Sequence, residues 1–252
     1  MLDIVIPAFN AHDMTWRCVA ALCLHPPTVP HQIILVDDGS ADPTPFHSLP
    51  GRLVRHPTNL GPHAAWNSGW RDGDEEYVAF INNDVVVAPH TLERMVAYLS
   101  DSCAPYIGAR DVGRGRAFDP ALLFAEEANA AFATAAGDYN SCFMVPRFVL
   151  EELDGFDDRM RNTFADADFC ARVETEYDQP CRVLSSAVCY HGRSVSRKRV
   201  GVVKDVEQMM KDQAVFREKW VDRPDVLAKH PPYTRDSALA STQRVWLTEG
   251  EK

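Results

Sequence analysis

Short apolar runs alternate with segments of helical periodicity over the first hundred residues, and this alternation constrains the fold more than any other feature. Continuous apolar runs at 2–9, 32–36 and 77–81 are typical of strands buried on both faces. Between them, apolar residues such as Cys18 and Leu22 recur at helical spacing. Strands that alternate with helices form parallel sheets. The sequence therefore predicts an α/β fold with a mostly parallel central sheet flanked by helices.

Polar or turn residues close three of the predicted strands. These residues are Pro7, Ala8, Phe9 and Asn10 after the first strand, Asp37 and Asp38 after the second, and Asn83 and Asp84 after the fourth. Ligands of open parallel sheets bind beyond the carboxyl ends of the strands. We therefore expect these loops to converge on one binding edge, where a carboxylate such as Asp84 can hold a cation through oxygen. The alternative is that each residue only caps or turns the chain.

Composition and charge exclude several classes of protein. The chain has 252 residues, of which 46% are hydrophobic, and this excludes a disordered chain or a small disulfide scaffold. The net charge of −10 disfavours a general nucleic-acid binder. Without a long apolar run or a signal-peptide pattern at the N-terminus, we expect no membrane span and a cytoplasmic location. The seven cysteines form no CxxC pair and are expected to be small buried residues.

The second half of the chain has a different pattern. Residues 117–136 are rich in alanine and phenylalanine and carry no clear strand. Strands are predicted near 142–145 and 183–190, and helices at 166–176 and 205–220. The last thirty residues are polar, and their paired prolines predict an extended tail.

Seven motifs, in order along the chain, carry a resemblance to a known family. They are VIPAFN at 5–10, ILVDDGSAD at 34–42, NLGPHAAWNSGW at 59–70, FINNDVVV at 80–87, LDGFDDRM at 153–160, FADADFCARV at 164–173 and FREKW at 216–220. Together they resemble the family-2 inverting glycosyltransferases with the A-type nucleotide-diphospho-sugar transferase fold, rhamnosyltransferase-like members among them. The resemblance covers about residues 2–220 and implies a metal-dependent hexosyl- or deoxyhexosyl-transferase.

The resemblance implies a donor-nucleotide site at the strand ends. Its residues would be Pro7, Ala8, Phe9, Asn10, Asp37, Asp38, Asn59, Gly61, Asn67 and Asn83. Either Asp37 or Asp38 would contact the base, and Asn83 would approach the ribose.

The resemblance also implies a general base and a metal site. Asp166 stands where the family keeps its base, and Asp84 and His191 stand at ligand positions for Mn²⁺ or Mg²⁺. One carboxylate suffices for inverting transfer, because only the attacking acceptor hydroxyl has to lose a proton. If Asp166 only caps its helix, Asp168 is the alternative base. The metal motif holds one carboxylate where many relatives hold two, which predicts weak metal binding without nucleotide.

A basic segment follows the predicted metal ligand His191. Residues 193–204 contain five basic residues and no acidic one. Its candidates for contact with a diphosphate or an anionic acceptor are Arg193, Arg197, Lys198 and Arg199. The alternative is a solvated loop.

These patterns predict one catalytic domain at 1–220, with a nucleotide-binding half at about 1–100 and an acceptor and metal half at about 101–220, followed by a tail at 221–252. The expected partners are a nucleotide-sugar donor and a hydroxyl acceptor, which is a saccharide, a lipid-linked sugar, a protein or a small molecule. The net charge disfavours a modified DNA base as acceptor, and the oligomeric state is left open.

Two other functions compete with a transferase. One is a non-catalytic carbohydrate- or nucleotide-binding module, supported by the reduced metal motif. The other is a sugar nucleotidyltransferase, which normally carries a lysine near its N-terminus, whereas the first lysine here is Lys198.

Overall fold

A mixed β-sheet with helices on both faces organises the chain. The computed structural model describes residues 1–113, 119–128, 133–137, 141–191 and 202–239. The strands are β1 (Leu2–Ala8), β2 (His31–Asp37), β3 (Arg52–Arg55), β4 (Tyr77–Ile81), β5 (Val85–Val87), β6 (Ile107–Asp111), β7 (Thr134–Ala136), β8 (Cys142–Pro146) and β9 (Arg182–His191). The helices are α1 (His12–Leu24), α2 (Pro62–Asp72), α3 (Thr91–Ser102), α4 (Pro120–Ala128), α5 (Arg147–Glu152), α6 (Ala165–Tyr177), α7 (Val202–Lys219) and α8 (Pro224–Lys229), with a 3₁₀ turn at Thr44–Ser48.

The strand order is β3-β2-β1-β4-β8-β6-β9-β5, and β7 pairs with β9. Strands β1 to β4 run parallel to one another, as do β6 and β9. Strand β8 joins these two groups with antiparallel ladders on both of its edges, and β5 and β7 are antiparallel to β9. The predicted α/β fold with a mostly parallel central sheet is confirmed.

Alternate residues of the central strands build a separate core on each face of the sheet. Ile4 and Ile6 pack in one cluster with α1 and α3, whereas Val5 packs in the other with α2, α5 and α6. Strand residues alternate between faces, so a strand covered by helices on both sides is apolar throughout. This explains why the first strand lacks any polar alternation in the sequence.

A third apolar cluster joins the two C-terminal helices to α6. Phe216 of α7 and Trp220, which directly follows this helix, pack with Phe164 at the start of α6 and with Val226 of α8. The expectation of an extended tail is therefore wrong for residues 224–229, because burial of Val226 stabilises a helix there. The domain boundary near residue 220 stays a prediction.

The alanine-rich stretch at 117–136 contains both a helix and a strand. Helix α4 buries Leu123 against Val188 of β9, and β7 pairs with the first part of β9. The expectation of no strand there is wrong. Backbone hydrogen bonds to β9 hold this strand of three residues, and such bonds cannot be predicted from the pattern of side chains.

The cysteines and helices bear on two further sequence predictions. Cys18, Cys142, Cys170, Cys181 and Cys189 are buried, as expected, while Cys23 and Cys103 are exposed. Within the described ranges, every helix is too short or too polar to cross a bilayer.

Candidate active site

The carboxyl ends of β1 and β2 lie side by side, because Ala8 pairs with Asp37 in their parallel ladder. Beyond this pair, the Asn10 N–H donates to Ser40 Oγ at 2.8 Å, and Asn10 Oδ1 accepts from the Ala41 N–H at 2.9 Å. Asn10 has a left-handed φ of 54°, which asparagine tolerates better than most residues. The two strand-end loops are thus locked together, as the parallel arrangement predicted.

The four predicted nucleotide contacts at the end of β1 differ in exposure. Pro7 and Ala8 are buried within the strand, whereas Phe9 and Asn10 are half-buried beyond it. Only the side chains of Phe9 and Asn10 therefore present surface to a ligand at this strand end.

Asp37 is fully buried and already has two donors. Its Oδ2 lies 2.6 Å from Arg55 Nη1, and its Oδ1 accepts from the Ser40 N–H at 2.9 Å. Arg55 Nη2 also donates to the Ser40 carbonyl at 3.1 Å. Because Arg55 is itself partly exposed, this guanidinium is the polar group of the pair that faces outward.

Asp38 is surrounded by donors from a neighbouring loop. Its Oδ2 accepts from Asn59 Nδ2 at 2.9 Å and from the Gly61 N–H at 2.8 Å, and its Oδ1 accepts from the Leu60 N–H at 2.8 Å. His56 Nδ1 lies 2.7 Å from the same Oδ1. Burial raises the pKa of Asp38 and outweighs the donors, which lower it. Asp38 therefore holds the 59–61 loop in place.

The side chain of Asn67 is buried against the residues around Phe156. Its Nδ2 donates to the Phe156 carbonyl at 2.7 Å, and its Oδ1 accepts from the Phe156 N–H at 2.9 Å and from Trp70 Nε1 at 3.1 Å. Both ends of this buried amide thus bind protein groups. A contact between Asn67 and a nucleotide stays a prediction.

Asp84 and His191 are brought together by strand pairing. Val85 of β5 pairs with His191 of β9, so Asp84, just before β5, faces the histidine, and Asp84 Oδ1 lies 3.2 Å from His191 Nε2. Two neighbouring ligands of one octahedral ion, each about 2.1 Å from it, are separated by about 3 Å. Carboxylate oxygen suits Mn²⁺ or Mg²⁺, and imidazole is a common ligand of transition metals. The pair thus fits part of a metal site, although no group of three metal-binding side chains occurs among the described residues.

The surroundings of Asp84 limit which other groups can act with it. The neighbouring Asn83 is buried, and its Nδ2 donates to Thr15 Oγ1 of α1 at 3.0 Å. Burial raises the pKa of the Cys18 thiol, with smaller contributions from Cys142 and Asp84.

Asp166 lies in the first turn of α6 and is half-exposed. Its Oδ1 accepts from the Ala167 N–H at 2.9 Å. It also lines a narrow void with Tyr106 and Phe156. The Tyr106 hydroxyl is buried there, and burial raises its pKa, with smaller contributions from Cys170, Cys181 and Asp166.

Asp168, the alternative base, is fully buried. Its Oδ2 accepts from Arg172 Nε at 2.8 Å and from Lys219 Nζ at 2.9 Å, and its Oδ1 accepts from Trp220 Nε1 at 2.9 Å. These donors join α6 to α7. An acceptor hydroxyl has no access to this carboxylate, so the geometry favours Asp166.

The predicted basic contacts Arg193, Arg197, Lys198 and Arg199 lie outside the described residues. Sequence reasoning missed other residues that shape the site, among them Arg55 and His56. Arg55 ends the short strand β3 and His56 follows it, and no motif or spacing marks either residue. Their roles come from partners that are distant in the sequence.

A family model described as "Glycosyl transferase family 2" matches residues 3–154, more than half of the chain. The chain therefore belongs to glycosyl transferase family 2, and the family predicted from the motifs is confirmed. The match includes the strand-end loops and Asp84, whereas Asp166 and His191 lie beyond it.

The similar proteins agree with this family. An N-acetylglucosaminyltransferase of Azorhizobium caulinodans is 27% identical over 42% of this chain and 28% of its own length. The chain spans about a third of the length of the first curated relatives it matches.

Two solved structures have the same fold. S. aureus TarS 1–349 in complex with UDP-GlcNAc is 15% identical, with a TM-score of 0.64 over 98% of this chain and 73% of that one. The mannosyltransferase PcManGT of Pyrobaculum calidifontis, in complex with GDP-Man and Mn²⁺, is 18% identical, with a TM-score of 0.62 over 97% and 73%.

Proposed function

We propose that this protein transfers a sugar from a nucleoside-diphosphate sugar to an acceptor hydroxyl, with inversion at the anomeric carbon. One observation carries the proposal: a single sheet holds both halves of the candidate site. The loops after β1 and β2 are hydrogen-bonded to each other, and Asp84 lies against His191 on the same sheet. Relatives of the same fold bind UDP-GlcNAc or GDP-Man, which supports this class of donor.

The nucleotide binds beyond β1 and β2 in this proposal. The half-buried Phe9 and Asn10 and the partly exposed Arg55 supply side chains there, while Asp37 binds Arg55 and the Ser40 N–H that lies beside Asn10. In this proposal the base is contacted by groups that Asp37 helps to hold in place. Arg55, which is partly exposed, also offers a cation to a donor phosphate at this edge of the sheet.

Asp84 and His191 would hold Mn²⁺ or Mg²⁺. When bound, the ion would stabilise as a Lewis acid the negative charge that develops on the leaving diphosphate. One carboxylate and one imidazole leave most of the coordination sphere to water and to donor oxygens. Metal affinity is therefore expected to depend on the nucleotide.

Asp166 acts as the general base in this proposal. As the acceptor oxygen attacks the anomeric carbon, its proton passes to the Asp166 carboxylate, and the bond to the nucleoside diphosphate breaks on the opposite face. One product is the glycoside of inverted configuration and the other is the free diphosphate. The half-exposed position of Asp166 supports access by an acceptor, which the enclosed Asp168 lacks.

A thermal-shift experiment followed by a turnover assay tests the proposal. We expect UDP or GDP to raise the melting temperature more with Mn²⁺ than without it, because ligands of the native state stabilise it by mass action. The matching nucleotide sugar should then release diphosphate in the presence of a sugar acceptor. Asp84→Asn should remove the Mn²⁺-dependent part of the shift.

The outcomes separate the competing functions. Stabilisation by a nucleotide without release of diphosphate from any nucleotide sugar would favour the non-catalytic binding module. Formation of a nucleotide sugar from a sugar phosphate and a nucleoside triphosphate would favour a nucleotidyltransferase. Product of retained anomeric configuration, read by NMR, would contradict the inverting mechanism.

A further inference from the structure

Asp38 lies at the end of β2 and holds the 59–61 loop. This loop is in turn bound directly to the segment 161–163. Arg161 Nη2 donates to the Asn59 carbonyl at 2.6 Å, and Arg161 Nε donates to the Leu60 carbonyl at 3.1 Å. One guanidinium therefore spans two successive carbonyls of the loop. These residues are about a hundred positions apart in the sequence.

Close backbone packing joins the same two segments. Gly61 has a φ of +103°, and a Cβ placed on it would lie 2.4 Å from the Arg161 carbonyl oxygen. His63 Nδ1 lies 2.8 Å from the Met160 carbonyl oxygen. A side chain at position 61 would push the segments apart, so glycine is required there for contact as well as for conformation.

A buried carboxylate of α7 holds the segment 161–163 from its other side. Asp212 is fully buried, and it accepts from the N–H groups of Arg161, Asn162 and Thr163 at 3.0, 2.8 and 2.9 Å. Gln208, one turn earlier on α7, donates to it at 2.7 Å. Three successive backbone donors on one carboxylate fix the path of the chain, since charge-assisted hydrogen bonds are strong in a buried setting.

Helix α6 begins at Ala165, immediately after this segment, and Asp166 is its second residue. We propose that Arg161 and Asp212 are positioning residues, which set Asp166 at a fixed place relative to the nucleotide-side 59–61 loop. The inference rests on the proposed role of Asp166 as general base. Neither residue touches substrate; they act through the backbone that leads into α6.

The expected size of the effect follows from the geometry of proton transfer. A base must lie within hydrogen-bond reach of the acceptor hydroxyl, and a misplacement of about 1 Å costs about a hundredfold in rate. Asp212→Asn replaces an acceptor oxygen with an amide donor facing backbone donors, so residues 161–163 must shift. Arg161→Gln removes the bond to the 59–61 loop and leaves the Asp212 contacts in place.

A double-mutant cycle in turnover tests the proposal. Asp212→Asn and Arg161→Gln are each made in the wild type and in Asp166→Asn, and kcat is measured together with the dissociation constant of the donor. We expect kcat to fall about tenfold to a hundredfold in the wild-type background, with donor affinity within about twofold. In the Asp166→Asn background the same two substitutions should lower kcat little further, because the effects of residues that act as a unit do not add. Glu207→Gln, on the exposed face of α7, is the matched control and should leave kcat unchanged.

Hydrogen exchange gives a second measurement that needs no turnover. Amide exchange at 161–163 should rise in Asp212→Asn and stay unchanged in Glu207→Gln. Equal losses of kcat in both backgrounds, or unchanged exchange at 161–163, would overturn the positioning role while leaving the transferase assignment intact. Absence of transfer by the wild type would instead overturn the proposed function itself. If Asp212→Asn does not fold, the cycle is measured with Arg161→Gln alone. The Arg161 side chain is partly exposed, so its replacement should leave the protein folded.

Discussion

At the scale of single residues, two aspartates two positions apart have opposite environments. Asp166 is partly exposed and accepts from the Ala167 N–H, whereas Asp168 is enclosed by Arg172, Lys219 and Trp220. A base must reach a substrate, and a structural carboxylate must be paired, so these environments fit the proposed base and a structural role, respectively. The sequence alone could not assign them, because the donors come from α6 and from the distant α7.

Asp166→Asn should lower turnover by about 10²–10⁴-fold, the usual contribution of a general base. Asparagine keeps the size of the side chain and an oxygen for the Ala167 N–H, so donor affinity and melting temperature should change little. Steady-state kinetics, calorimetry and thermal unfolding check these three expectations.

Asp168→Asn is the matched variant, and it should act on stability instead. Removing this charge leaves Arg172 without its buried carboxylate while Lys219 keeps Asp157, so we expect a loss of about 1–3 kcal/mol in the free energy of unfolding. A folded Asp168→Asn protein without activity, next to an Asp166→Asn protein of normal turnover, would reverse the assignment.

The strand-end motifs illustrate how far residue patterns predict a site. The polar ends of β1 and β2 correctly indicated that Asn10 lies beside the loop after Asp37, because register in a parallel sheet follows from the apolar runs. The same motif did not reveal that Asp38 is occupied by the 59–61 loop, or that Asn67 is bound to Phe156. Those contacts depend on side-chain packing between distant segments, which periodicity does not encode.

At the scale of secondary-structure elements, the pairing of β5 with β9 creates the candidate metal site. Both strands are unremarkable in sequence, and β5 has only three residues. Their antiparallel register places Asp84 against His191, about a hundred positions later. The predicted metal ligands therefore lie together because of the pairing of β5 with β9, which neither motif encodes by itself.

His191→Gln should weaken Mn²⁺ binding in the presence of UDP or GDP by at least about tenfold. Loss of a group that merely supports a ligand already costs about 10–100-fold in metal affinity, and loss of a ligand should cost no less. Isothermal titration of Mn²⁺ into the nucleotide-bound protein measures this change. His90→Gln is the control, because His90 is exposed at the start of α3. Full turnover in excess EDTA would remove the metal role of both Asp84 and His191.

At the scale of the whole molecule, the C-terminal helices pack against the helix that carries the proposed base. Helix α7 and the residue after it supply Lys219 and Trp220 to Asp168, and α7 supplies Asp212 to the segment before α6. The sequence predicted α7 from its periodicity, and it predicted a domain that ends near residue 220. It did not predict α8, because six residues give too short a pattern and the burial of Val226 depends on α7.

Truncation after residue 220 tests whether the catalytic domain ends there. We expect the shortened chain to lose about 2–4 kcal/mol in the free energy of unfolding, because it exposes the surface of Phe216 and Trp220 that packs with Val226 and Ala238. For a domain of this size, the melting temperature should fall by roughly 4–16 °C. A chain truncated after residue 239 is the matched control and should unfold like the full chain, because it keeps the contacts that the described residues make in this cluster. Equal melting temperatures for the two truncations would instead support a domain that ends near 220, with the residues beyond it contributing nothing to stability.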